Sequence, residues 1–158
     1  MILYILLKQN NIIPYASIEL HNTQLLSYNK GNIMIFSVEL KCSQVLTNDQ
    51  DDDEKIILKI FLDKSVDIYN SRELFVFFKK IINGGIKKII IDLKNLQYID
   101  SMGIGVFIKV TKMLRPNKGD LVLINIPKSI EKIIGLAKVQ QFLHSAETEE
   151  EANELFHV

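Results

Sequence analysis

The side chains with chemical potential gather in one stretch, Asp100-Ser101-Met102-Gly103-Ile104-Gly105, shortly after an apolar run that ends in Asp92-Leu93. A hydroxyl beside a carboxylate, followed by two glycines, admits three readings. Aspartate and serine are favoured at helix N-caps because their oxygens accept hydrogen bonds from unpaired amides, and glycine permits close packing. The simplest reading is therefore a helix start. A dinucleotide fingerprint needs a third glycine, and G-x-G-x-x-G would place it at Ile108. A hydrolase nucleophile elbow needs glycine two residues before the serine, where Ile99 stands, and no histidine is near in sequence. Both enzymatic motifs are incomplete.

Other reactive residues are scattered. Cys42 is the single cysteine, which excludes an intramolecular disulfide and a thiolate cluster for metal. His21, His144 and His157 are not spaced as metal ligands. The acidic run at 49–54 reads as a solvated loop without calcium-loop spacing. The chain has 158 residues, 19 of them Lys or Arg and 19 Asp or Glu. That length suits one domain, and the balance of charge argues against a bulk electrostatic grip on nucleic acid or an anionic membrane. The apolar start ends at Lys8, far short of the roughly 20 residues of a spanning helix, and lacks the basic lead of a secretory signal. A cytoplasmic address is expected.

The elements that must position the Asp100 stretch follow from hydropathy. Met34 opens an alternation with Phe36, Val38, Leu40 and Cys42 on one face, the pattern of a half-buried strand. Residues 56–62 read as a second strand, antiparallel to the first. A helix capped by Asn70 or Ser71 is expected to run to about Ile82, with Leu74, Phe77, Phe78 and Ile81 inward, and to end at Asn83-Gly84-Gly85. Ile89-Ile90-Ile91 marks a central strand covered on both faces, its start at Lys87 and Lys88 exposed. Residues 94–99 read as a connecting turn. A helix follows from about Met102 to Leu114, with Val106, Phe107, Val110 and Leu114 at helical spacing. Residues 121–126 form another buried strand, Pro127 starts a short helix through Ile134, residues 141–143 are a short strand, and Ser145 precedes a last helix with Glu149, Glu150 and Glu151 in it. The order predicts an α/β domain with a mixed four- to five-stranded sheet, parallel crossovers and about four helices packed on it.

From about Met34 to the end, the chain resembles a STAS domain, and within that superfamily the bacterial anti-sigma factor antagonists. The likeness rests on Ile89-Ile90-Ile91-Asp92-Leu93 followed by Ile99-Asp100-Ser101-Met102-Gly103-Ile104-Gly105-Val106, which resembles an apolar strand and then D-S-x-G-[LI]-G. Val66-Asp67-Ile68 resembles the family's L-D-x after the second strand. The resemblance implies a non-enzymatic module without cofactor or metal. Ser101 is the implied phosphoacceptor, and Asp67, Asp100, Ser101, Met102, Gly103 and Ile104 the implied partner-binding residues. Implied partners are an anti-sigma factor that is also a serine kinase, of histidine-kinase-like ATPase type, and a serine phosphatase, with no direct nucleic acid and no membrane insertion. Unphosphorylated antagonist would hold the kinase and free a sigma factor. On the residues alone, Asp67 reads equally as a partner contact or as a capping aspartate. Met102 and Ile104 either pack inward or form an apolar patch, a choice that exposure decides.

Two positions depart from the family pattern: Lys64 and Lys138 stand where it usually has glycine. The rival functional class is a STAS module that binds a small ligand, lipid or nucleotide, or serves a transporter. Residues 1–33, interrupted by Asn10, Asn11, Pro14, Asn22 and Asn29, sustain no period and read as a poorly structured extension. Met34, at the first residue of the first convincing strand, is a candidate start of the native protein. A tail folded over the sheet edge through Ile12, Ile13, Ile18, Leu20, Leu25 and Leu26 is the alternative.

Overall fold

The structure is a computed structural model that describes residues 24–30, 33–42 and 56–156, with side chains from residue 57 onward. Strands β1 (Gln24–Lys30), β2 (Ile33–Cys42) and β3 (Ile56–Leu62) form an antiparallel meander, with Leu26 opposite Val38 and Val38 opposite Ile60. β4 (Lys64–Val66) follows a one-residue break, and α1 spans Ser71–Asn83. β5 (Lys88–Asp92), β6 (Leu96–Ile99) and α2 (Ser101–Leu114) come next. The chain closes with β7 (Asp120–Ile124), α3 (Lys128–Leu136), β8 (His144–Ala146) and α4 (Glu149–Leu155).

β1-β2-β3-β5-β7-β8 is the order of the main sheet, with β3, β5, β7 and β8 parallel. Period-2 alternation sends Leu58, Ile60, Leu62, Ile89, Ile91, Leu121 and Leu123 to one face. There they meet Leu74 and Phe78 of α1, Phe107 and Val110 of α2, and Ile130 and Ile134 of α3. Burying one such side chain stabilises by about 1.5–3 kcal/mol, which makes this face the main core. The opposite face is smaller: Ile90, Val122 and Ile124 lie under Ala152 of α4. β5 is buried along its whole length, as its isoleucine run requires.

The α/β class, the helix faces and the central strand match the reading of the residues; the remaining differences have local causes. The sheet has six described strands rather than four or five. It begins at Gln24, ahead of Met34, because Gln24–Lys30 completes a backbone ladder with β2 that needs no periodic side-chain pattern. Residues 1–23 and the acidic run at 49–54 lie outside the described residues. Leu96–Ile99, expected as a turn, is a strand because it pairs in parallel with β4. The last strand is His144–Ala146, and Gln140–Phe142 is a 3-10 turn. Thr148, not Ser145, caps α4: its Oγ1 accepts from the Glu151 amide (3.2 Å) while Glu151 Oε2 accepts from the Glu147 amide (2.9 Å). Lys88 is buried rather than exposed, because β5 runs between β3 and β7, with Lys88 opposite both Ile57 and Asp120.

Candidate functional site

The two-stranded sheet β4–β6 builds the site. Ser65 pairs with Tyr98 and Val66 with Ile99, so two parallel strands end side by side and release Asp67-Ile68-Tyr69 and Asp100-Ser101-Met102 together. The Asp100 amide donates to the Val66 carbonyl (3.1 Å) and continues that ladder. Asp100 then caps α2: its Oδ1 accepts from the amides of Met102 (2.8 Å) and Gly103 (2.9 Å). Its second oxygen, Oδ2, accepts from the Ile68 amide (3.0 Å) on the other strand's loop.

Asp67 does the matching work before α1. Its Oδ1 accepts from the Tyr69 amide and its Oδ2 from the Ser65 hydroxyl, both at 2.9 Å. The Asp67 carbonyl takes the Asn70 and Ser71 amides, at 3.2 and 2.8 Å. Asn70 closes the loop, accepting from the Asp67 amide on Oδ1 and donating from Nδ2 to the Ser65 carbonyl. A cap hydrogen bond from the Asn70 side chain into α1 is not formed, because that side chain is engaged in the loop.

Of the residues expected at a partner surface, Ser101 and Met102 are exposed, Met102 at 50%. Asp67 and Asp100 are half-buried. Gly103 and Ile104 do not belong to that surface. Ile104 is 4% exposed and packs into the main core. Gly103 is buried where a Cβ would come within 2.7 Å of the Val66 carbonyl and of Ile99 Cγ1. Gly105, two residues on, has open space at the same position. Ile68 at 65% and Tyr69 at 88% exposure lie on the loop bonded to Asp100, and Tyr98, at 52%, is exposed two residues before it on β6. Residue reading passed over them, although two large apolar residues directly after a strand-ending aspartate were a visible signal.

The departures Lys64 and Lys138 take φ of 61° and 54°, the left-handed region that glycine enters without steric cost. The lysines thus preserve a glycine-like turn at a conformational expense. Beside Lys64, an open groove is lined by Asp63, Lys94, Asn95, Leu96, Gln97 and Pro127, with the Asn95 amide bonded to Asp63 (3.0 Å).

A second polar cluster lies under α4. Lys59 Nζ is 2.9 Å from Glu149 Oε2, 3.4 Å from Asp92 Oδ2 and 4.8 Å from the centre of the Phe61 ring. Asp92 also accepts from Asn125 Nδ2 and from the Lys94 amide, both at 3.0 Å. Burial pulls the Lys59 pKa down, but the hydrogen bond and charge of Glu149 and the charge of Asp92 outweigh it and hold the group above its ordinary 10.5. Among the described residues, no three His, Cys, Asp or Glu side chains converge as a metal site, and no helix is long and apolar enough to cross a membrane.

A mixed-sheet α/β domain with an exposed serine at the start of a capped helix defines a class, and the sequence profile of the STAS domain matches residues 47–152. The chain belongs to the STAS domain family. Its relatives include the anti-sigma-B factor antagonist of Staphylococcus aureus, 26% identical over 79 residues that cover 50% of this chain and 73% of that protein. The fold is similar to the crystal structure of a candidate anti-sigma factor antagonist from Thermotoga maritima, with a TM-score of 0.60 and 22% identity over 65% of this chain and 88% of that one. It is also similar to part of the murine anion transporter Slc26a9 (TM-score 0.52, 18% identity, 64% of this chain and 18% of that one).

Proposed function

We propose that this chain is a cytoplasmic, non-enzymatic anti-sigma factor antagonist switched by phosphorylation of Ser101. In its unmodified form it captures an anti-sigma factor serine kinase and so releases a sigma factor; a serine phosphatase restores that form. The observation that carries the reading is the exposure of Ser101 at the first residue of α2, beside amides already occupied by Asp100. A phosphate adds about −1.5 to −2 charges. Free amides at a helix N-terminus would absorb much of that charge. Here the Met102 and Gly103 amides are committed to Asp100, so the added charge faces outward beside two aspartates. The core is untouched while the docking surface gains negative charge and hydration.

Immobilised wild-type protein should recover a histidine-kinase-like ATPase from native extract, and Ser101→Asp protein should recover much less. With ATP, that kinase should add one phosphate, located at Ser101 by mass spectrometry and absent from Ser101→Ala. Recovery of transport components alone, with Ser101 left unmodified by the extract, would overturn the reading in favour of a transporter-associated or ligand-binding module.

A further inference from the structure

We infer that Asp100 is a positioning residue that joins the Ile68–Tyr69 loop to the helix carrying Ser101, and that Ile68 and Tyr69 select the partner protein which modifies that serine; the second half rests on the phosphoacceptor reading. Ile68 and Tyr69 are large, apolar and mostly exposed, yet their loop is held at every turn. Asp67, Asn70 and Ser65 exchange hydrogen bonds of 2.8–2.9 Å within it. Exposed apolar side chains on a fixed backbone lose little entropy on binding, the condition under which a few residues dominate an interface. Met102, exposed in the first turn of α2, adds an apolar side chain next to Ser101.

One side-chain bond couples this loop to α2, from the Ile68 amide to Asp100 Oδ2 (3.0 Å), across 32 positions of sequence. The β4–β6 register makes it possible: with Val66 opposite Ile99, Ile68 emerges beside Ser101. The three amides of Ile68, Met102 and Gly103 engage both carboxylate oxygens of Asp100, and the Tyr69 amide and Ser65 hydroxyl engage both of Asp67. Each carboxylate already serves structural donors, so its assigned role is to set geometry and not to take the serine proton. The occupant that fits is a protein with an apolar pocket beside its phosphoryl donor, entered by Tyr69 and Ile68.

Asp100→Asn separates the two duties of the carboxylate. The amide oxygen still caps Met102 and Gly103, while the NH2 group meets the Ile68 amide donor to donor. Hydrogen exchange on the free protein should show the Ile68 amide at least tenfold faster, with Met102 and Gly103 still protected; unchanged Ile68 protection overturns the coupling. With the captured kinase, Asp100→Asn and Tyr69→Ala should each raise the KM for this protein about tenfold, with kcat and its pH profile kept. A collapse of kcat with an altered pH profile in Asp100→Asn would make Asp100 a base. An unchanged KM in Tyr69→Ala, an exposed substitution that leaves the core intact, would remove the selection role. If wild-type Ser101 accepts no phosphate, the acceptor reading and the partner selection built on it both fail, while the exchange measurement still decides the coupling.

Discussion

Asp92 and Asp100 stand at the ends of successive strands, β5 and β6, and both have their oxygens engaged, yet they do different work. Asp92 is 5% exposed and faces a lysine that also holds Glu149, so its charge is neutralised inside and the contact fastens α4 to the sheet. Among the described residues, Asp100 is bound by backbone amides alone, which fix its direction and set no cation against it. The difference lies in the donors. A side-chain cation makes a carboxylate a fastener, whereas amides at two chain segments make it part of a recognition surface.

The sharpest way to break this contrast is to remove the cation. Lys59→Met should cost about 3 kcal/mol in denaturant unfolding, because Asp92 stays buried without its counter-charge. The pH dependence has a definite sign. A raised lysine pKa contributes stability that is complete below 10.5 and is lost as pH rises through the folded value. Lys59→Met should therefore flatten that alkaline loss; an alkaline limb identical to the wild type's would show that the fastener is not Lys59.

The two glycines after Ser101 sharpen the other side of the comparison. Gly103→Ala should destabilise by about 2 kcal/mol, since the new Cβ collides with Val66 and Ile99 at the seam that aligns the two loops. Gly105→Ala should instead stabilise by about 0.5–1 kcal/mol, because the position is inside a helix with open space around it. Equal melting shifts for the two would contradict the packing at the β4–β6 seam.

The smallest effect is expected at Lys64, whose left-handed backbone glycine would adopt freely. Lys64→Gly should raise stability by about 0.5 kcal/mol, the relief of backbone strain being partly offset by the greater freedom of glycine in the unfolded chain. A loss of stability on thermal unfolding would mean that the lysine side chain supplies more than the turn costs.

Much of this molecule was legible because the deciding forces act within a few residues. The faces of α1 and α2 follow from Leu74, Phe77 and Phe78 and from Val106, Phe107 and Val110 at helical spacing, and all six are buried. The cap at Asp100 is equally local, reaching amides two and three residues ahead. Leu96–Ile99 was not legible as a strand, since four residues with two exposed carry no clear period and pair only because β4 lies alongside. Lys88 misled for a similar reason: a charged residue at a strand start suggests solvent, but its neighbours on both sides are strands far off in sequence.

Residue types and short spacings thus determined the α/β class, the helix faces, the central isoleucine strand and the serine at a helix start, all consequences of periodicity and of backbone donors nearby in the chain. Tertiary structure alone decided which residues share the surface with Ser101. It turned Ile104 and Gly103 inward, brought Ile68 and Tyr69 alongside, and set Lys59 against Asp92 and Glu149, because each of these follows from strand register and helix packing between segments that sequence distance keeps apart.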